Sequence, residues 1–255
     1  MQAVIYDGSY RGWFSAVFDI YEHRFSAVDM TRHEQFKQNI FGNAFFAEAD
    51  EAKATRVLKG LQAKLSATAL QELYYSWLSE LPGIENTMLR LVQYAFSSPA
   101  SIEKDFSHEA VLKTGQVAKQ VHREKHRMEA FVRFQLTSDQ LYYAIVEPDF
   151  NVLPLISRHF EQRYADQRWM IYDSRRQYGI YYDGEKVDPV EVSFHEGRAH
   201  GRDVSAVYNT DELLYQHLWR RYFKSVNIAS RKNTRLHIQH MPRRYWKYLP
   251  EKKPS

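Results

Sequence analysis

The sequence predicts an α+β fold, and three observations predict it. A strand, a glycine-containing loop and a helix open the chain. A middle third carries helical apolar stripes with short connections. A strand-strand-helix-strand-strand pattern then spans about 130–194. A C-terminal helix and a basic tail complete the expected order. With 255 residues, 44% of them hydrophobic and 15% aromatic, the chain has enough apolar material for a large core. It is expected to form a single domain over 1–255. If it subdivides, 1–105 is the mainly helical part, and 106–255 is the α+β part carrying the basic segment 219–255.

The elements follow in order. Ala3–Tyr6 alternates as a short strand, Asp7–Gly12 makes a tight turn, and Phe14, Val17, Phe18, Tyr21 and Phe25 recur at helical spacing. Residues 29–49 are less regular. A helix over 50–65 places Ala54, Val57, Leu58, Leu61 and Leu65 on one face. A second over 67–80 turns Leu70, Leu73, Trp77, Leu78 and Leu81 inward and stops at Pro82-Gly83. A third, over 84–97, has Ile84, Met88, Leu91, Val92 and Ala95 as its stripe. A long helix over 107–129 leads into a strand at 130–136, a turn at Ser138-Asp139 and a returning strand at 140–146. Glu147-Pro148-Asp149 interrupts before a helix near 154–165. Strands at 168–172 and 178–182 pair as a hairpin, 187–194 reads as a further strand, and a last helix covers about 209–226.

Composition excludes several chemistries. There is no cysteine, so disulfides, thiolate zinc sites, iron–sulfur clusters and a cysteine nucleophile are ruled out. No apolar run approaches the roughly 20 residues that span a bilayer, and Met1–Tyr10 does not read as a signal peptide. The expectation is a cytoplasmic protein that does not contact membrane. Charge is unevenly distributed. Residues 219–255 hold eleven Lys/Arg against the single acid Glu251, a local charge of +10; the chain as a whole is +4, which leaves about −6 on residues 1–218. In this tail Trp219, Tyr222, Phe223, Tyr245, Trp246 and Tyr248 interleave with the cations. Cations neutralise phosphates and aromatic faces stack on bases, so the pattern points to nucleic acid. The alternative is a tail strapped onto its own acidic body.

Four groups of residues are candidates for chemistry. Asp7-Gly8-Ser9 with Gly12 puts an acid between a strand and a helix N-terminus, where α/β proteins place ligands, though an ordinary cap explains it too. Glu124 lies between Val117, Val121 and Met128 at helical spacing, so its carboxylate falls on an apolar face. Such a group serves as an acid/base, or is paired with Arg133 or another neighbour. His122 and His126 share a face, but the glutamate offset is wrong for a zinc protease and no third ligand is evident, so no metal site is assigned. His159 and Arg163 share the face of a later helix. Asp173, Arg175 and Arg176 sit at a hairpin tip, where they grip phosphate or keep the turn soluble. Asp7, Glu124 and His159 are thus the catalytic candidates. The nucleic-acid candidates are Arg163, Arg175, Arg176, Arg231, Lys232, Arg243, Arg244, Trp246 and Lys247.

Taken together, these segments resemble a bacterial family of DNA metabolism or repair proteins of unknown function. The matching stretches are Tyr6–Ser9 with Gly12, His122–Glu124 with His126–Met128, Phe131–Phe134, Glu147–Asp149, and His159-Phe160 with Arg163. Trp169–Asp173 with Arg176, Asn227–Arg231 with Asn233, and Met241–Pro250 continue the series. In that family the gene often accompanies a radical-SAM protein, and elsewhere the domain is fused to a uracil-DNA-glycosylase-like domain. The resemblance implies DNA repair or modification beside a radical-SAM partner. It brings no established reaction, cofactor or catalytic residue. Three functions therefore stand open: a DNA-binding accessory protein, which is preferred, an enzyme acting directly on a base or nucleotide, and a protein–protein adaptor.

Overall fold

The computed structural model describes residues 2–36, 44–138, 140–191, 238 and 241–252. It bears out the α+β class. The chain divides into two compact units, 1–122 and 123–255, and each has its own sheet.

The first unit begins with β1 (Gln2–Tyr6), α1 (Tyr10–Glu22) and β2 (Val28–Arg32), a parallel β-α-β turn; β3 (Ala44–Phe46) then pairs parallel on the other side of β1. The sheet order β2-β1-β3 makes β1 the central strand. Its Val4, Ile5 and Tyr6 are accordingly almost wholly buried. α1 covers the sheet with Trp13, Ala16, Val17 and Ile20. The helical middle follows as α2 (Glu51–Gln62), α3 (Ala67–Leu78) and α4 (Ile84–Ser97). Capping by side chains starts two of them: Asp50 accepts from Lys53 N at α2, and Ser66 from Ala69 N at α3. The expected stripes are the buried ones, with Leu61, Leu73, Leu78, Met88 and Val92 at 0% exposure. A buried pair joins sheet to helix, Arg32 Nε donating to Glu85 Oε1 at 2.9 Å.

α5 (Glu109–Phe131) contains the boundary between the units. In the second unit β4 (Gln135–Leu136), β5 (Tyr142–Val146), α6 (Leu153–Arg163), β6 (Trp169–Asp173), β7 (Tyr178–Tyr182) and β8 (Val187–Glu191) build one sheet in the order β4-β5-β6-β7-β8. β5 and β6 run parallel through the α6 crossover, and the other neighbours are antiparallel hairpins. α6 packs Ile156 and Phe160 onto the sheet, where Phe160, Phe134, Trp169 and Tyr182 form a chain of ring contacts.

Two expectations are corrected. The region 29–49 is not irregular throughout, because it contains β2 and β3. The strand expected at 130–136 shrinks to Gln135–Leu136, because α5 continues to Phe131, its last turn pinned by buried Met128 and by Val132 N donating to Met128 O. The helix expected at 209–226 lies outside the described residues. None of the described helices is long and apolar enough to cross a membrane.

Candidate functional site

The carboxyl ends of parallel strands are where open α/β sheets gather ligand-binding residues. In the second unit, β5 and β6 end side by side in this way, at Val146 and Asp173. The segment Glu147-Pro148-Asp149 leaves β5 there. Its Pro148 contributes no amide hydrogen, so side chains must fix the backbone. Several do. Glu124 Oε1 accepts from Asp149 N at 2.9 Å. Arg175 Nη1 and Arg176 Nη2 both donate to Asp149 O, each at 3.2 Å, and Arg176 Nη1 donates to Pro148 O at 3.2 Å. Asp173, wholly buried at the end of β6, aims Arg176 by an ion pair of 2.9 Å and accepts from the backbone N–H of Arg175 and Arg176. Burial pushes the Asp173 carboxyl up, and the Arg176 guanidinium opposes that shift.

Glu124 is the buried centre of the cluster, at 1% exposure, on the α5 face shared with Met128. Oε1 also accepts from Tyr245 Oη at 2.5 Å. Oε2 accepts from Arg244 Nη2 at 3.2 Å and from Arg127 Nη1 at 3.4 Å. The carboxylate thus makes four bonds, two to each oxygen. Arg133, a partner expected from sequence, instead meets Glu251 at 3.1 Å.

The tail reaches this cluster through a 3₁₀ helix, Arg243–Tyr248. Three residues per turn eclipse side chains at i and i+3, so the helix carries three rows. Tyr245 and Tyr248 form the first row: Tyr245 is buried against Glu124, and Tyr248 Oη donates to Glu147 Oε2 at 2.5 Å. Burial, then the Glu124 carboxylate, push the Tyr245 phenol up. The second row is Arg244 and Lys247. Arg244 meets Asp149 Oδ2 at 2.5 Å as well as Glu124, and Lys247 Nζ meets Glu147 Oε2 at 2.5 Å. The Lys247 ammonium and the Tyr248 hydroxyl hold the Glu147 carboxyl below its usual range. The third row is Arg243 and Trp246. The exposed Arg243 guanidinium lies 5.8 Å from the Trp246 ring centroid, and Lys252 Nζ lies 5.1 Å from it. Trp246 Nε1 donates to Met241 O at 3.0 Å, which fixes the indole's orientation. Leu249, at 0% exposure, anchors the end of the segment.

The remaining candidates lie elsewhere. His159 sits on α6 about 9 Å along the axis from Leu153, its ring edge-on to Phe160. Arg163 ends that helix, exposed, over the Tyr164 ring. Asp7 belongs to the first unit. Its carboxylate accepts from Ser9 N and Ser9 Oγ, while Ser9 caps α1. A Cβ on Gly12 would come within 1.9 Å of Asp7 Oδ1, which explains glycine there. His122 stacks on Tyr75, and His126 meets Glu129 at 3.0 Å. Among the described residues Asp19, Glu22 and His23 cluster as metal ligands would, but the Lys53 ammonium already stands 2.6 Å from Asp19 Oδ1 and 3.7 Å from Glu22 Oε2. Arg231 and Lys232 lie outside the described residues.

Sequence reasoning did not foresee Glu147, Asp149 and Tyr245 as partners of these groups. The available signal was the three-residue recurrence of tyrosine and of cation between 243 and 248.

The model of a family described as a domain of unknown function, DUF4130, matches residues 82–251. The match takes in the cluster from Glu124 to Tyr248 and leaves out Lys252 and Asp7. A search of curated proteins finds no match.

Proposed function

The chain belongs to this family of domains of unknown function, and from that premise we propose that it is a DNA-binding protein of DNA repair or modification, acting beside a radical-SAM partner. One observation carries the DNA part. Where the tail is described, the 3₁₀ helix sorts its cations: Arg244 and Lys247 are engaged by acids of the same unit, whereas the exposed Arg243 guanidinium lies beside the Trp246 ring on another row. An exposed cation beside an aromatic ring is the pairing that nucleic-acid surfaces use to neutralise phosphate. Exposed Arg175 and Arg163 add positive charge to the same unit. The radical-SAM partner rests on the family resemblance alone.

Direct catalysis on a base has less support. Both oxygens of Glu124 are engaged by four donors, and His159 packs on Phe160 away from the cluster's hydrogen bonds. Fluorescence anisotropy of labelled oligonucleotides at low salt tests the reading. Binding that weakens steeply as salt rises is expected. Absence of any binding, with co-purification of a radical-SAM protein instead, would leave the adaptor role.

A further inference from the structure

The first unit holds a cavity that the DNA reading does not use. Its volume is about 180 Å³, and residues of α3, α4, α5 and their flanking segments line it. An apolar cavity of about 150 Å³ takes up benzene, so this one has room for a ligand of that size. We infer that it binds a small organic cation, a compact apolar body carrying a primary ammonium, which the Glu72 carboxylate and the Thr114 hydroxyl hold. The inference is independent of the DNA reading.

The lining has an apolar part and a polar part. Leu65, Leu91, Ile102 and Val111 line the cavity and are buried. Leu91 belongs to the apolar stripe of α4, and Val111 stands one turn before Thr114 on α5. Placing an apolar body against such side chains is favourable in proportion to the area removed from water. The polar part comes from the packing of α3 on α5. Ser76 Oγ donates to Thr114 O at 3.2 Å. Glu72 precedes Ser76 by four residues on α3, so both share the helix face turned to α5. A Cβ on Gly115 would lie 3.9 Å from Glu72 Oε2, which places the carboxylate beside the residue that follows Thr114.

Neither polar group has a hydrogen-bond partner among the described residues. Burial pushes the Glu72 carboxyl up, and the Lys119 ammonium opposes that shift without forming an ion pair. Thr114 is 1% exposed, and its Oγ1 is an orphan. Buried hydroxyls are as a rule bonded. The other acid of the lining, Glu103, is already committed, because its oxygens accept from Ser66 N at 2.5 Å and Ser66 Oγ at 2.9 Å. The exposed Lys104 beside it offsets its charge. An ammonium carries three donors and no acceptor, so one group serves a carboxylate and a hydroxyl oxygen together. An anionic ligand would meet Glu72 as a like charge, and a neutral one would leave the carboxylate unpaired.

The test uses the full chain, isotope-labelled for backbone amide NMR, titrated with benzylamine and with benzyl alcohol, which differ in the charged group. Wild type is expected to bind benzylamine with a Kd of about 1 mM, moving the amide signals of Thr114 and Gly115. Benzyl alcohol should bind about tenfold more weakly. Glu72→Gln keeps the length of the side chain and should weaken benzylamine about tenfold while leaving benzyl alcohol unchanged. Thr114→Val replaces only the hydroxyl and should weaken benzylamine about threefold. Circular dichroism and melting of both variants report whether the fold is retained, and the comparison of amine with alcohol in wild type needs no variant. Alcohol binding as tight as the amine overturns the inference. So does an absence of shifts at Thr114 and Gly115 at tens of millimolar benzylamine, or a benzylamine affinity that either substitution leaves unweakened.

Discussion

At the scale of single residues, Glu124 sets the local energetics. Its Oε1 holds Asp149 N and Tyr245 Oη, and its Oε2 holds Arg244 and Arg127. Glu124→Gln keeps the first pair of bonds and turns an amide NH₂ toward two guanidinium groups. Urea unfolding should show a loss of about 2 kcal/mol, because charge-assisted bonds are removed from a buried site. Glu147 gives a pH prediction. Lys247 and Tyr248 lower its folded-state pKa, so its stabilising contribution is full above the unfolded value of about 4.3 and is lost as pH falls through the lower folded value. The difference in melting temperature between wild type and Glu147→Gln should therefore be present at neutral pH and shrink below about pH 4. A difference independent of pH would contradict the pairing. The burial of Glu124 was legible in the sequence, because its spacing from Val117, Val121 and Met128 fixed its face. Its partners were not, since Arg244 and Tyr245 are 120 and 121 residues away along the chain.

At the scale of elements, β7 depends on an absent side chain. A Cβ on Gly179 would lie 2.8 Å from Ile171 O, a backbone atom of β6 that cannot rotate away. Gly179→Ala should cost about 1–3 kcal/mol, read from the urea midpoint, and an unchanged midpoint would contradict the β6–β7 pairing. The amphipathic helices were the most legible elements, because each buries a stripe at 3.6-residue spacing. β2 and β3 escaped notice for a physical reason. β3 has only three residues, and the alternation in β2, Val28 and Met30 against Asp29 and Thr31, lasts only four residues before the buried Arg32 breaks it. The end of α5 was misplaced because the β-like residues Phe131 and Val132 follow a helix whose last turn is already held from Met128.

At the scale of the whole molecule, the asymmetry of charge takes a more specific form. An acidic body and a basic tail were visible in composition, but composition treats all eleven tail cations alike. Where the tail is described, its cations differ by row. Arg244 and Lys247 hold the segment to acids of the same unit, while Arg243 and Lys252 border Trp246. That division depends on a three-residue period meeting acids about a hundred residues earlier, a meeting that only the fold creates. The central claim is that the exposed Arg243 engages a DNA phosphate. The most direct measurement is the salt dependence of single-stranded DNA affinity for wild type and for Arg243→Ala. The variant should bind more weakly, with the slope of log K against log salt reduced by about 0.7, the contribution of one phosphate left unneutralised. An unchanged affinity and slope, or no DNA binding by wild type at low salt, would contradict the claim.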